Sequence, residues 1–258
     1  SAYSVDLITG QATLVKDNLL GTTENARLNS FGYNAKDNYI WGTRTNTNEL
    51  VRIGSDWSAT TFPIPGLPTD ASFFVGDFDL NGIMYLYNGS GTSTQIYRVD
   101  LNPTSPTYLT LLPSLTTSAG YSIFDWAFNP IDGNLYAMGS GGNFQLLRFS
   151  TSTGAVTQVG TVSGGGIQAA GEIPMGAAYM DNEGSLYLAS NATGRIFKIA
   201  TTQTGNLTAT LFSTGPTSDN NDGARCPLAP LVVNPPGAVK DSISTPQGIA
   251  VDIPLLTN

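Results

Sequence analysis

Apolar and polar positions alternate along this chain in short runs, separated by turns rich in Gly, Asn, Asp and Thr. A period of two over such short stretches predicts β-strands. One phrase, a polar turn followed by a strand bearing an aromatic, recurs four times. It reads Lys36-Asp37-Asn38-Tyr39-Ile40-Trp41, Leu80-Asn81-Gly82-Ile83-Met84-Tyr85, Asp132-Gly133-Asn134-Leu135-Tyr136 and Glu183-Gly184-Ser185-Leu186-Tyr187. The aromatics at 41, 85, 136 and 187 are spaced by 44, 51 and 51 residues. A period of about 45–50 residues built only of short strands predicts an all-β fold, a β-propeller with one four-stranded antiparallel blade per repeat.

Flanking strands keep the same register. Upstream of each aromatic an inner strand carries Tyr33, Phe78, Phe128 or Tyr179, and a further 47 residues reaches Cys226. Downstream, a third strand carries one basic residue, Arg52, Arg98, Arg148 or Lys198, and a fourth follows a turn marked by Thr-Gly, as at Thr153-Gly154 and Thr204-Gly205. The N-terminus matches only the second half of this pattern. Ala2–Leu7 reads as a third strand and Thr9–Val15 as a fourth, so the inner strand is expected from Asp222–Cys226 and the second strand from Gly248–Ile253. The expectation is one domain over residues 1–258 with five blades: repeats at about 26–69, 70–117, 118–168 and 169–217, and a closing blade from 1–25 plus 218–258. Closing the ring removes exposed sheet edges. The Pro-rich segment 228–246 is long for a loop inside such a blade.

Three of these phrases carry a resemblance: Tyr3-x-Val5-Asp6-Leu7-x-Thr9-Gly10, Asn129-Pro130-x-Asp132-Gly133-x-Leu135-Tyr136, and Asp222-Gly223-Ala224-Arg225-Cys226. Across nearly its whole length the chain resembles an uncharacterised family of extracellular propeller-like domains of fungal and bacterial secreted or surface proteins. The resemblance implies a fold and a location; it brings no established activity.

Composition narrows the chemistry. Charged residues make up only 12%, and 11 basic against 19 acidic residues leave a net charge of −8. That sign argues against nucleic acid, whose binding depends on Lys and Arg at phosphates, and against an anionic membrane surface. No apolar run is long enough to span a bilayer. A start at Ser1 without Met reads as a processed, secreted form, and three sequons, at Asn88, Asn191 and Asn206, point to the same route as glycosylation sites. With no histidine and one cysteine, His-dependent nucleophile systems, His-ligated zinc and an internal disulfide are excluded.

What remains is carboxylate chemistry, a hard cation, or binding without catalysis. Loops preceding the inner strands share one end of a propeller channel, where ligands commonly bind. They carry Glu24, Arg27, Asn29, Asp70, Tyr121, Asp125, Glu172, Asp219 and Asp222. Asp125 with Glu172 or Asp222 would supply the acid pair of a glycoside hydrolase; the competing reading is that such acids cap turns. Arg27, Asn29, Asp77, Tyr121, Trp126 and Arg225 are the candidate ligand contacts. Arg225 is expected on an inner strand, either in an ion pair with a residue such as Asp77 or as an anchor for an anion. Asp219 and Asp222, in Asp219-Asn220-Asn221-Asp222-Gly223, form a partial calcium loop lacking the full spacing and the downstream Glu. No other cofactor is implied. Cys226 is expected to be a buried, inert thiol in a slot otherwise held by aromatics. Trp57 and Trp126 break the aromatic register and are candidates for an exposed stacking surface. Polar loops after the second strands suit carbohydrate hydroxyls. The leading expectation is a secreted, non-catalytic propeller binding a glycan or cell-surface partner; a secreted carbohydrate-active enzyme is the alternative.

Overall fold

The computed structural model describes residues 1–20, 27–201 and 207–231, and every regular element among them is a strand. A hairpin of β1 (Ala2–Val5) and β2 (Ala12–Lys16) opens the chain. Four antiparallel meanders follow. The first comprises β3 (Leu28–Asn34), β4 (Tyr39–Arg44), β5 (Glu49–Ile53) and β6 (Ala59–Pro63). The second comprises β7 (Val75–Phe78), β8 (Ile83–Tyr87), β9 (Gln95–Asp100) and β10 (Thr110–Thr116). The third comprises β11 (Ile123–Phe128), β12 (Asn134–Gly139), β13 (Gln145–Ser150) and β14 (Val156–Ser163). The fourth comprises β15 (Met175–Met180), β16 (Ser185–Ser190), β17 (Arg195–Ala200) and β18 (Leu207–Thr214). A short parallel pairing of Val162 with Leu207 and Ser163 with Thr208 fuses the third and fourth meanders into one eight-stranded sheet.

Each recurrent turn between the first two strands of a meander contains a left-handed residue: Asn38, Gly82, Gly133 or Gly184, with φ between 61° and 84°. Gly and Asn are the residues that adopt this conformation at least cost. The turn also carries an aspartate that accepts the polar hydrogen of the strand aromatic. Asp37 takes the Trp41 indole N–H at 3.0 Å, Asp79 the Tyr85 hydroxyl at 3.2 Å, Asp132 the Tyr136 hydroxyl at 2.7 Å and Asp181 the Tyr187 hydroxyl at 2.9 Å. The other oxygen of each carboxylate accepts backbone N–H groups of the turn. Across the sheet, the aromatic faces the basic residue of the third strand: Trp41 opposite Arg52, Tyr85 opposite Arg98, Tyr136 opposite Arg148, Tyr187 opposite Lys198. Arg52 lies over the rings of Tyr39, Trp41 and Phe62, and Lys198 over Tyr187, within cation–π range.

The aspartate stands four residues before its aromatic in the first and third meanders and six before it in the second and fourth. Where the spacing is four, a buried asparagine one residue beyond β3 Tyr33 or β11 Phe128 reaches the next meander. Asn34 donates to the Leu101 carbonyl at 2.8 Å, and Asn129 to the Thr201 hydroxyl at 2.9 Å.

Core forms where the face of one meander meets the next. Trp41 and Leu50 pack with Phe78, Met84 and Val99; Tyr85 and Tyr87 with Trp126, Leu135 and Phe149; Tyr136 and Leu146 with Met175, Leu186 and Phe197. The free face of the fourth meander is covered by Leu7, which joins Ala177, Tyr187, Ala189 and Ile196. Ser213 donates to the Leu7 carbonyl at 2.5 Å, and Gly10, at φ 76°, sits so close that a Cβ would fall 2.0 Å from the Thr214 carbonyl oxygen. The N-terminal hairpin is thus docked against the fourth meander at β18, and forms a separate two-stranded sheet.

Three expectations change. Residues 222–226 run extended between β15 and β3 but pair in no ladder, so they are not the regular inner strand expected. Cys226 is only partly buried, as Tyr33 and Tyr179 are, and is not the enclosed thiol expected. Trp126 is fully buried, stacked against Tyr87 at 5.8 Å and edge-on to Phe149 at 5.5 Å, and offers no exposed face. The proposed second closing strand, Gly248–Ile253, lies outside the described residues, as do Glu24 and Asn206.

Removing residues 1–16 strips Leu7 from the fourth meander and is expected to cost about 3 kcal/mol or more, as for other large core deletions; unchanged thermal unfolding would show the hairpin to be peripheral. Asp181→Ala leaves a buried tyrosine hydroxyl and two turn N–H groups without their acceptor and should cost about 3 kcal/mol in urea unfolding, against about 1 kcal/mol for Tyr187→Phe.

Candidate functional site

The inner strands β3, β7, β11 and β15 stand side by side around the centre. These inner strands pair with no inner strand of a neighbouring meander, so their inward N–H groups need other acceptors. Three aspartates supply them. Asp77 on β7 accepts the Phe128 N–H of β11 at 2.8 Å, and Asp125 on β11 accepts the Ala178 N–H of β15 at 2.7 Å. Asp222, on the extended C-terminal segment, accepts the Phe31 N–H of β3 at 3.1 Å. Irregular register within β11, between Ile123 and Trp126, swings Asp125 towards its neighbour. The second oxygens of Asp125 and Asp222 accept the Trp126 and Gly223 N–H groups at 2.8 and 2.6 Å.

Burial at the centre raises all three acids above the usual carboxylate range. Desolvation raises Asp77 to about 7, even against the hydrogen bonds it accepts. Desolvation, with the Asp77 charge adding to it, raises Asp222 to about 8. Asp125 is held well above the usual carboxylate range by desolvation first and the Asp222 charge second. Tyr179 is raised by desolvation, then by Asp125 and Asp222.

Above this cluster opens a cavity of about 560 Å³, walled by the leading ends of the inner strands and by the 219–222 segment. Phe74 and Phe124, 44% and 38% exposed, turn their rings out at its edge, and Phe31 of β3 also lines it. Asn18, Asn29, Asn191, Asn220 and Asn221 bring amides, and Asp219 and Asp222 bring carboxylates. Asn191 is only 7% exposed, and its Oδ1 has no hydrogen-bond partner. It presses on Gly176, where a Cβ would stand 2.1 Å from that oxygen, so only glycine fits there.

Of the sequence candidates, Asn29, Asp219 and Asp222 meet at this cavity, with Asp77 and Asp125 among the central acids. Glu172 does not join them. It is buried on the loop before β15, paired with Arg195 at 2.6 Å and accepting the Thr193 hydroxyl at 2.7 Å. Tyr121 packs edge-on to Phe149, its backbone tied on both sides to the Tyr87 hydroxyl. Arg225 is not an ion-pair partner of Asp77. Its guanidinium donates to the carbonyls of Met180, Cys226 and Ala229, fastening the C-terminal segment to β15. Arg27 is exposed and does not line the cavity, while Trp57 is partly buried in the β5–β6 turn at φ 60°. Asp70 and Asn88 line a shallower depression of about 400 Å³, where the Asn88 amide donates to the Ser72 carbonyl at 2.6 Å. Among the described residues no three Cys, Asp or Glu side chains gather at metal-ligand distance. Sequence reasoning missed the phenylalanines at the mouth; the doubled Phe73-Phe74, one ring in and one out, was their signal.

A family model for a repeat of unknown function, DUF6923, matches residues 3–228. The chain belongs to that family. No curated protein matches it. Among solved structures, this DUF6923 chain is similar to a virginiamycin B lyase from Staphylococcus aureus, with 17% identity over 73% of this chain and 57% of that one and a TM-score of 0.46. It is similar to a streptogramin B lyase at 11% identity, over 70% and 53% of the two chains, with a TM-score of 0.47. A gluconolactonase from Xanthomonas campestris is similar at 12% identity over 76% and 80%, with a TM-score of 0.43. The chain spans little more than half of either lyase.

The raised carboxylates fix a pH dependence. In the unfolded chain these acids ionise near 4, whereas Asp77 and Asp222 stay protonated in the fold to about 7 and 8. Between those limits the folded state binds more protons, so these groups make stability fall as pH rises. Asp77→Asn keeps an acceptor for Phe128 but cannot ionise. Its stability relative to wild type should therefore climb from about pH 4 to about 7 and then level, read as melting temperature against pH.

Proposed function

We propose that this protein is an extracellular, non-catalytic five-bladed propeller that binds a glycan at the mouth of its channel. The four meanders supply four blades; the hairpin on β18 and the 222–226 segment between β15 and β3 stand where a fifth belongs. The observation that carries the binding reading is the mouth itself: two outward phenylalanine rings beside five asparagine side chains in one cavity. Aromatic faces take the apolar faces of sugar rings, and amides serve as both donors and acceptors for their hydroxyls.

One observation favours a second reading, a carbohydrate-active enzyme: Asp125 and Asp222 are close enough for charge on Asp222 to raise Asp125. Against it, Asp125 is 3% exposed and both its oxygens accept backbone N–H groups, so of the two only Asp222 borders the cavity. An acid that must reach a glycosidic oxygen cannot be enclosed in this way.

Binding to a glycan array should be weakened about five- to tenfold by Phe74→Ala or Phe124→Ala, in line with the loss of one aromatic contact, with melting temperature unchanged. Incubation with a broad polysaccharide panel should release no sugar. Sugar released by the wild type and lost in Asp222→Asn would overturn the non-catalytic reading.

A further inference from the structure

The charge of the cavity wall says more about its ligand. The two ionisable side chains that line it, among the described residues, are both acids, Asp219 and Asp222; no Lys or Arg lines it, and the one cationic group of a lining residue is the α-amino group of Ser1. Asp219 is exposed on its loop. The open rings of Phe74 and Phe124 turn a partial negative charge towards whatever stacks on them. Carboxylates and ring faces together fit a cation with N–H donors, and the surrounding amides fit hydroxyls. Resting on the glycan reading of the same site, we propose that the ligand is an amino sugar with a free ammonium, a glucosamine-type glycan. Its ring lies against Phe74 and Phe124, and its ammonium points to Asp219 and Asp222.

The acids beneath the mouth support this. Asp222 is faced by Asp77 of β7, Asp125 of β11 and Tyr179 of β15, and from β3 by the backbone N–H groups of Ser30 and Phe31. None of these supplies a positive charge; desolvation, with the Asp77 charge adding to it, raises Asp222 to about 8. An ammonium provides the missing counter-charge and favours the carboxylate. Near neutral pH the bound complex therefore releases the Asp222 proton to solvent, an effect a neutral sugar does not produce.

Calorimetry on the whole chain tests this with a glucosamine tetramer, an N-acetylglucosamine tetramer, cellotetraose, spermidine and tetralysine, each in two buffers of different ionisation enthalpy. The glucosamine tetramer should bind about tenfold or more tighter than the acetylated and neutral sugars. Its affinity should fall as salt is raised, and its heat should depend on the buffer. Asp219→Asn, on an exposed loop, should weaken it about threefold, and Asp222→Asn should abolish the buffer dependence. Equal binding of cellotetraose overturns the amino-sugar inference while the glycan reading stands. Spermidine or tetralysine binding as tightly as the amino sugar overturns the sugar assignment. Binding unaffected by both aspartate variants overturns the placement of the ammonium. If no oligosaccharide binds, both readings fall.

Discussion

Everything in this fold depends on a carboxylate in each repeat's first turn holding the aromatic of the following strand by its polar hydrogen. Buried indole and phenol groups are costly unless their hydrogen finds an acceptor. Once it does, the large ring is fixed at the seam between neighbouring sheets, and the basic residue opposite covers its outer face. Four such units set four meanders in succession and gather their first strands about a common centre. The centre then inherits a difficulty the ladders cannot solve, inward N–H groups with no strand partner, and the three aspartates answer it.

Much of this architecture was legible in the sequence because its signals are local and repeated. Turn, aromatic and basic residue recur in register, so the meanders at β3–β18 and the two short strands of the N-terminus follow from spacing alone. Legibility failed where a residue departs from its repeat. Cys226 sits at the position of Tyr179, but the Arg225 guanidinium takes backbone carbonyls around it and the segment stays out of any ladder. Trp126 breaks the aromatic register because the irregular stretch of β11 turns it into the core. The site was half visible. Its acids could be named from the sequence, but which of them converge depends on distant elements: Glu172 goes to Arg195, and Asp222 crosses to β3.

The mouth and the acids beneath it are built for different ends. The acids are consumed by the scaffold, each oxygen occupied, and their protonation is coupled to the stability of the ring. The mouth is free of that duty, so its phenylalanines and amides can be altered without dismantling the centre. Only Asp222 belongs to both, tying β3 from below and bordering the cavity from above. Through it, whatever alters charge at the mouth is felt by the strand packing underneath.

The buried asparagines have an implication for how this chain can be rebuilt. Asn34 and Asn129 each need a partner that only the following repeat offers, a carbonyl at Leu101 in one case and a hydroxyl at Thr201 in the other. Repeats two and four carry an aspartate at the corresponding place and make no such reach. Neighbouring repeats are therefore not interchangeable parts, despite their common outline. Excising the second or fourth repeat would remove the acceptor that the asparagine before it uses; moving two together keeps each amide with its acceptor. The ring has the grammar of couplets, and any permutation or grafting of it has to cut between them.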